Sequence, residues 1–175
     1  MTQIAIGEIS KISVPALSAD RLVIYMKIVL DTNVLINGFK DDYSYEKKII
    51  DAVIAGEIEA YANKQTLQEN KLIVSQLIDS PDYKEALNNL FAQINWVVNR
   101  RQVRIVEDPE DNKILESAVE SQADYLISSD NALLKIKEHQ GVKIVNPSQF
   151  WVSYKDEGED LWKQWISFIK NQNSK

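Results

Sequence analysis

The sequence has no cysteine and only one histidine, which limits the chemistry open to it. Without cysteine the chain has neither disulfide bonds nor thiolate ligands for a metal ion. His139 lies in a polar stretch, KEHQG, with no second histidine to join it, so a zinc site is not expected. The sequence thus offers neither a cysteine nor a Ser–His pairing, which agrees with a mechanism that requires no covalent nucleophile.

Long hydrophobic runs are missing too. No segment approaches the roughly 20 apolar residues that a membrane-spanning helix needs, and the N-terminus lacks the basic and then apolar pattern of a signal peptide. A cytoplasmic location is therefore expected. The net charge of -6 argues against nucleic-acid binding by bulk electrostatics, but it leaves room for a local basic patch or an acidic cleft that holds metal.

The length of 175 residues suits one domain with appendages. Residues 1–25 contain Pro15, several serines and scattered apolar residues that fit neither the helical nor the strand period. We interpret them as a non-native or disordered leader, with translation starting at Met26. Residues 26–150 are then the folded domain, and residues 151–175 form an acidic link and an aromatic-rich helix.

The stretch KIVLDTNVLI, residues 27–36, organises the rest of the chain. Ile28, Val29 and Leu30 are typical of a strand buried on both faces of a parallel sheet, and the strand ends in Asp31. The apolar pattern then resumes, which predicts a short helix before Asn37. Asp31 thus follows the carboxyl end of a strand, where open α/β sheets bind their ligands. A purely structural role, capping the following helix, is the alternative.

Strand and helix patterns alternate along the remaining sequence. Strands are predicted at residues 58–62, 103–106, 125–128 and 142–145. Helices are predicted at residues 43–55, 65–78, 83–94, 113–121 and 131–134. This alternation predicts a three-layer α/β/α sandwich around a central parallel sheet.

Four acidic residues come just after predicted strands or early in the helices that follow, namely Asp31, Glu69, Asp111 and Asp130. In a parallel sheet these positions share one edge, where four negative charges would repel each other unless a cation compensates them. Oxygen-only ligands suit Mg²⁺ or Mn²⁺. The pattern therefore predicts a metal-dependent phosphodiesterase site, in which the metal orients a water and stabilises the leaving oxygen.

Two polar neighbours, Asn33 and Ser128, can hold these carboxylates or the attacking water. Ordinary turn and cap chemistry is the alternative for each of them. Arg100, Arg101 and Arg104 form the only compact basic group, just ahead of Asp111. They can contact the phosphates of a substrate, or they can be a solvated connector between a helix and a strand.

The segments VLDTNVLI, DPEDNKILESA and ADYLISSDNALL, in this order and spacing, resemble the signatures of the PIN domain. The likeness covers about residues 26–147 and is greatest to VapC-like ribonucleases, the toxins of bacterial toxin-antitoxin systems. It implies RNA cleavage with Mg²⁺ or Mn²⁺ bound by acids at the positions of Asp31, Glu69, Asp111 and Asp130. It also matches Ser128 and Asn33 to the family's polar positions, and implies an antitoxin partner and a homodimer.

Two assignments stay open within this resemblance. Glu69 has undistinctive surroundings, KQTLQENK, so Glu59 is its fallback. Asp108, one helical turn before Asp111, is a further candidate.

The tail carries a dense set of aromatic residues, and residues 161–169 have the spacing of an amphipathic helix preceded by an acidic link at residues 156–160. Its apolar face either packs back on the domain or receives a second copy or an antitoxin helix.

Two other functions compete with a nuclease. A phosphatase of the haloacid dehalogenase type needs a second Asp two residues after the first, where this chain has Asn33. A catalytically inactive PIN-like domain that only binds RNA or a partner is the alternative that we retain.

Overall fold

The computed structural model describes residues 26–172, so the predicted leader lies outside the described residues. Within this range six strands form one sheet: β1 (Met26–Leu30), β2 (Ile58–Asn63), β3 (Asn95–Val97), β4 (Tyr125–Ile127), β5 (Glu138–His139) and β6 (Val142–Val145). The helices of the same range are α1 (Thr32–Asn37), α2 (Tyr45–Ile54), α3 (Lys64–Leu77), α4 (Pro81–Gln93), α5 (Pro109–Glu120), α6 (Asn131–Ile136) and α7 (Pro147–Gln172).

The sheet has the strand order β3-β2-β1-β4-β6-β5. All pairings are parallel except that of the two-residue strand β5 with β6. Strand β1 lies inside the sheet, where Ile28 is in register with Ala60 of β2 and with Tyr125 of β4. The carboxyl ends of β1 and β4 are therefore neighbours, and Asp31 N donates to Ile127 O over 3.0 Å.

Two hydrophobic cores lie on opposite faces of the sheet, because successive side chains of a strand point to opposite sides. Ile28 and Leu30 of β1 belong to the core covered by α1 to α4 and the start of α7. Val29 belongs to the other core, together with Leu115 of α5 and Leu133 of α6. The predicted three-layer α/β/α sandwich is confirmed.

The predicted strand at residues 103–106 is wrong, because its backbone amides bond to side chains and not to a strand. The N–H groups of Ile105 and Val106 donate to Asn112 Oδ1 over 2.9 and 3.2 Å, and that of Val103 donates to Glu116 Oε1 over 2.8 Å. The strand at this edge of the sheet is instead β3, next to β2.

The tail also differs from its predicted form. The helix α7 runs from Pro147 to Gln172 without a break, so residues 156–160 are helical and not a link. Its first turns pack on the domain, since Phe150 is fully buried with its ring edge-on to Tyr125 at 5.3 Å between centroids. Most of the apolar side chains at residues 161–169 lie outside the described set. In the range that the structure describes, no helix is both long and apolar enough to cross a membrane.

Candidate active site

Asp31 is a buried carboxylate at the carboxyl end of β1, with only 4% of its surface exposed. It caps α1, and its Oδ1 accepts from the backbone N of Asn33 over 3.3 Å. Asp31 therefore has the helix-capping role that the sequence left open as an alternative. Its Oδ2 accepts a 2.6 Å hydrogen bond from Ser128 Oγ, so each carboxylate oxygen has a fixed partner.

Ser128 connects two acidic residues. It follows β4 directly and is fully buried, and its Oγ both donates to Asp31 and accepts from Asp130 N over 2.9 Å. A hydroxyl can do both at once, because it has one proton and two lone pairs. Ser128 therefore fixes the carboxylate of Asp31 relative to the backbone of Asp130.

Asp130 caps the next helix, α6. Its Oδ1 accepts from the backbone N of Ala132 over 2.6 Å and of Leu133 over 3.3 Å. Within residues 26–172 no hydrogen bond engages its Oδ2. The cap thus orients the carboxylate and leaves one oxygen available to a further ligand.

Asp111 lies in the first turn of α5 and faces these acids. Its pKa is raised to about 6, first by burial and then by the negative charges of Asp130, Asp108 and Asp31. The negative charges of three other carboxylates thus reach Asp111. Asp31, Asp111 and Asp130 are thus brought to one edge of the sheet.

Glu69 is placed differently. It lies on α3, where Gln65 Nε2 donates to its Oε1 over 2.8 Å. The pKa of Lys113 is raised first by its hydrogen bond to Glu110, and the negative charge of Glu69 adds a smaller contribution. Glu69 is not among the charges that raise the pKa of Asp111. Glu69 therefore approaches α5 on the side of Lys113.

Of the two other candidate acids, Asp108 lies near Asp111 and Glu59 lies far from it. Asp108 caps α5, with its Oδ1 accepting from Glu110 N over 2.8 Å, and its charge reaches Asp111. Glu59 is in register with Lys27 near the start of the parallel strands. It lies about 13 Å along β2 from Asn63 and the carboxyl edge, so it cannot replace Glu69 there.

The carboxylates have the right chemistry for a hard divalent cation, since they offer only oxygen ligands and since burial and then mutual repulsion raise the pKa of Asp111. A cation between them would relieve this repulsion. Among the described residues, however, no three Asp, Glu or His side chains already form a group with the geometry of a metal site.

A set of buried polar residues that the sequence did not predict lies at the same edge. Thr32 Oγ1 donates to Oδ1 of the buried Asn70 over 2.5 Å, and Asn63 Nδ2 donates to Ser117 Oγ over 3.3 Å. The hydroxyl of Thr66 is buried without a hydrogen-bond partner in the described part of the chain. The signal was the polar character of positions 63, 66 and 70: Asn63 caps α3, and Thr66 and Asn70 are four residues apart on that helix.

The basic group divides between two places. The backbone N of Arg100 bonds to Glu120 at the end of α5, and the guanidinium of Arg101 bonds to Gln140 before β6. These two residues lie toward the opposite edge of the sheet, since Glu120 is about 14 Å along α5 from Asp111. Only Arg104 lines the flank of α5 beside Lys113.

Two known proteins are similar to parts of this chain. The chain is 27% identical over 134 residues to the uncharacterized protein MJ1680 of Methanocaldococcus jannaschii, which covers 70% of this chain and 83% of that protein. The crystal structure of VapBC2 from Rickettsia felis bound to a DNA fragment from their promoter contains a chain similar in fold. The similarity has a TM-score of 0.48 at 13% identity and covers 69% of this chain and 98% of the other.

Residues 27–132 match the family model of the PIN domain. This stretch begins in the central strand and includes Asp31, Asp111 and Asp130, the three acids that meet at the carboxyl edge. Because the match spans more than half of the 175 residues, the chain belongs to the PIN-domain family.

Proposed function

We propose that the protein is a divalent-metal-dependent endoribonuclease that hydrolyses RNA phosphodiester bonds. The observation that carries this proposal is the convergence of Asp31, Asp111 and Asp130, three residues distant in sequence, at the carboxyl edge of the central strands. Oxygen ligands of this kind fit Mg²⁺ or Mn²⁺. Membership of the PIN family supports a phosphodiesterase at this position.

Each acidic residue of the site would have its own role in binding the ion. Asp31, held by Ser128, would be a rigid ligand, and Asp130 would offer its Oδ2. Asp111 would supply a carboxylate whose pKa burial and the neighbouring acids raise in the metal-free protein. A bound ion would polarise the phosphate and acidify a water. Asn33, exposed beside Asp31, is available to orient that water. Glu69 reaches this site only from the side of Lys113, so its role as a ligand remains part of the proposal.

The biological role that we propose is that of the toxin in a toxin-antitoxin pair. The three segments that resemble VapC-like ribonucleases support it, and they imply an antitoxin protein and a second copy of the chain as partners. Expression of the chain from an inducible promoter in a bacterial host tests this role. Growth should stop on induction of the wild-type chain but continue with Asp111→Asn, whereas equal growth of both strains would contradict a toxin.

A second function is favoured by two observations. Among the described residues, no three Asp, Glu or His side chains form a group that could hold a metal ion. Glu69 is also not among the charges that raise the pKa of Asp111. These features also suit a PIN-like domain that binds RNA or a partner without cutting.

A cleavage assay distinguishes the two functions. Fluorescent RNA is incubated with wild type in Mn²⁺, in Mg²⁺ and in EDTA, and with Asp111→Asn in Mn²⁺. Asp82→Asn is the matched control, because Asp82 is an exposed acid in the first turn of α4. Metal-dependent cleavage by wild type and the control, with loss in Asp111→Asn, supports a nuclease. Cleavage in EDTA, or unchanged rates in Asp111→Asn, would overturn it.

A further inference from the structure

Asn70 is a polar residue on the buried face of α3. It is 3% exposed and lies four residues from each of the other buried residues of this helix, Thr66 and Val74. Asparagine is unfavourable inside a helix, and a buried amide costs stability unless it is hydrogen-bonded. An apolar residue would pack on this face at lower cost, so the amide needs a separate explanation.

The amide of Asn70 bonds to α1. Its Oδ1 accepts a hydrogen bond from Thr32 Oγ1 over 2.5 Å, across 38 positions of the sequence. Thr32 directly follows Asp31, and Asn70 directly follows Glu69. The bond therefore joins the two residues that stand next to two of the candidate acids.

A second buried bond holds the start of α3. Asn63 caps this helix, with its Oδ1 accepting from Thr66 N over 2.7 Å, and its Nδ2 donates to Ser117 Oγ of α5 over 3.3 Å. Asn63 and Asn70 are about 10 Å apart along the helix axis. The helix α3 is thus bound at two points, to α1 on one face of the sheet and to α5 on the other.

The bond to α1 restricts α3 in a way that apolar packing does not. Apolar contacts are non-directional, whereas a hydrogen bond weakens steeply when its angle becomes unfavourable. A rotation of α3 about its axis would break the bond between Thr32 and Asn70, and it would also displace Glu69. The side chain of Glu69 is held within the same helix by Gln65 over 2.8 Å, so it would move with α3. The position of Glu69 therefore depends on the bond between Thr32 and Asn70.

We propose that the Thr32–Asn70 pair positions Glu69 relative to Asp31, and that Asn70 is a positioning residue for ion binding at the acidic edge. The inference rests on the proposed nuclease function, because Glu69 matters to the reaction only if an ion binds there. The pair then contributes to the affinity of the site for the ion more than to the stability of the fold. Removal of a partner that orients metal ligands typically weakens metal affinity by about 10- to 100-fold.

Mn²⁺ binding by the full chain tests this inference, and it is measured without substrate from the electron paramagnetic resonance signal of the free ion. The main variant combines Thr32→Val with Asn70→Leu, which makes both partners apolar and leaves neither unpaired. Thr32→Ser keeps the hydroxyl. Val74→Ala is the matched control, because Val74 is buried on the same face of α3 and has no polar side-chain group. Urea unfolding of each variant records its stability.

The double variant should keep a urea midpoint near that of the wild type and bind Mn²⁺ about tenfold more weakly. Thr32→Ser should bind Mn²⁺ nearly as tightly as the wild type. Val74→Ala should lower the urea midpoint and leave the Mn²⁺ affinity unchanged. If the double variant does not fold, Thr32→Val is compared with Thr32→Ser in its place.

Glu69→Gln tests whether the pair acts through Glu69. This change should weaken Mn²⁺ binding in the otherwise unsubstituted chain. It should weaken binding less in the double variant, because both changes then act on one carboxylate.

Wild-type Mn²⁺ affinity in the double variant would overturn the inference, as would an equal loss of affinity in Val74→Ala or equal losses from Glu69→Gln in both backgrounds. Mn²⁺ binding without cleavage of RNA would contradict the nuclease function alone, and the affinities of the variants would still decide on the pair. A wild-type chain that neither binds Mn²⁺ nor cleaves RNA would overturn both proposals.

Discussion

Ser128 Oγ donates a 2.6 Å hydrogen bond to Asp31 Oδ2, joining two residues that are 97 positions apart. The bond connects the carboxyl ends of the adjacent strands β4 and β1, and it is inside the protein, since Ser128 is fully buried. A buried carboxylate that lacks such a donor loses part of its compensation for desolvation. The pair therefore links the stability of the central strands to the orientation of a candidate metal ligand.

Ser128→Ala should destabilise the fold by about 1 to 3 kcal/mol, because it leaves Asp31 Oδ2 and the N–H of Asp130 without their partner. It should also raise the metal concentration needed for half-maximal cleavage. Urea unfolding and a Mn²⁺ titration measure the two effects. Ser128→Thr, which keeps the hydroxyl, should recover part of both, and Ser129→Ala at the exposed neighbouring position should change neither.

The stability of the metal-free protein should depend on pH through Asp111. Its folded pKa of about 6 exceeds the ordinary value of 3.8, so the folded state binds more protons between these limits. The contribution of Asp111 is then fully present below pH 4 and is lost as the pH rises through 6. Urea unfolding in EDTA should show stability decreasing over this window.

Asp111→Asn removes that titration. The variant should lose most of the decrease in unfolding free energy between pH 4 and 6. Near pH 7 its metal-free form should be more stable by about 1 kcal/mol, a value discounted because Asp111 is partly exposed. An unchanged pH profile in Asp111→Asn would show that the other carboxylates do not act on Asp111 as the structure places them.

Asn112→Ala should release the loop that precedes α5. One buried amide makes four hydrogen bonds to loop backbone, so its loss should cost about 2 kcal/mol or more. Hydrogen exchange at the N–H groups of Ile105 and Val106 should accelerate well beyond the global change. Asn131→Ala, at an exposed position in the first turn of α6, serves as the control.

Phe150→Ala should detach the start of α7 from the domain. Phe150 is fully buried and contacts Tyr125 and Tyr154, so truncation should cost about 3 to 5 kcal/mol in urea unfolding. Val152→Ala in the same helix removes a side chain that is 56% exposed, and it should change stability by less than about 0.5 kcal/mol. Similar losses in both variants would contradict docking through Phe150.

The resemblance to the PIN family covered the part of the sequence that the family match also covers. The family could be predicted there because its sequence signals are local. A short apolar run that ends in Asp31 indicates a buried strand, and the apolar spacing after Asp111 indicates a helix. The predicted roles of Glu69, Asn33 and the arginines stay predictions, since they depend on where a ligand would lie.

The sequence by itself determined the layers of the sheet and helices and the edge on which Asp31 and Asp130 lie, because strand and helix periods and the direction of parallel strands are encoded locally. The strand predicted before Asp111 is a loop, so the tertiary structure brings Asp111 to that edge. Only the tertiary structure decided that residues 103–106 are a loop, since the partners of its amides are side chains on a helix later in the chain. It also separated Arg104 from Arg100 and Arg101 and joined Ser128 to Asp31. Those contacts depend on how distant segments pack, and no periodicity in the sequence records them.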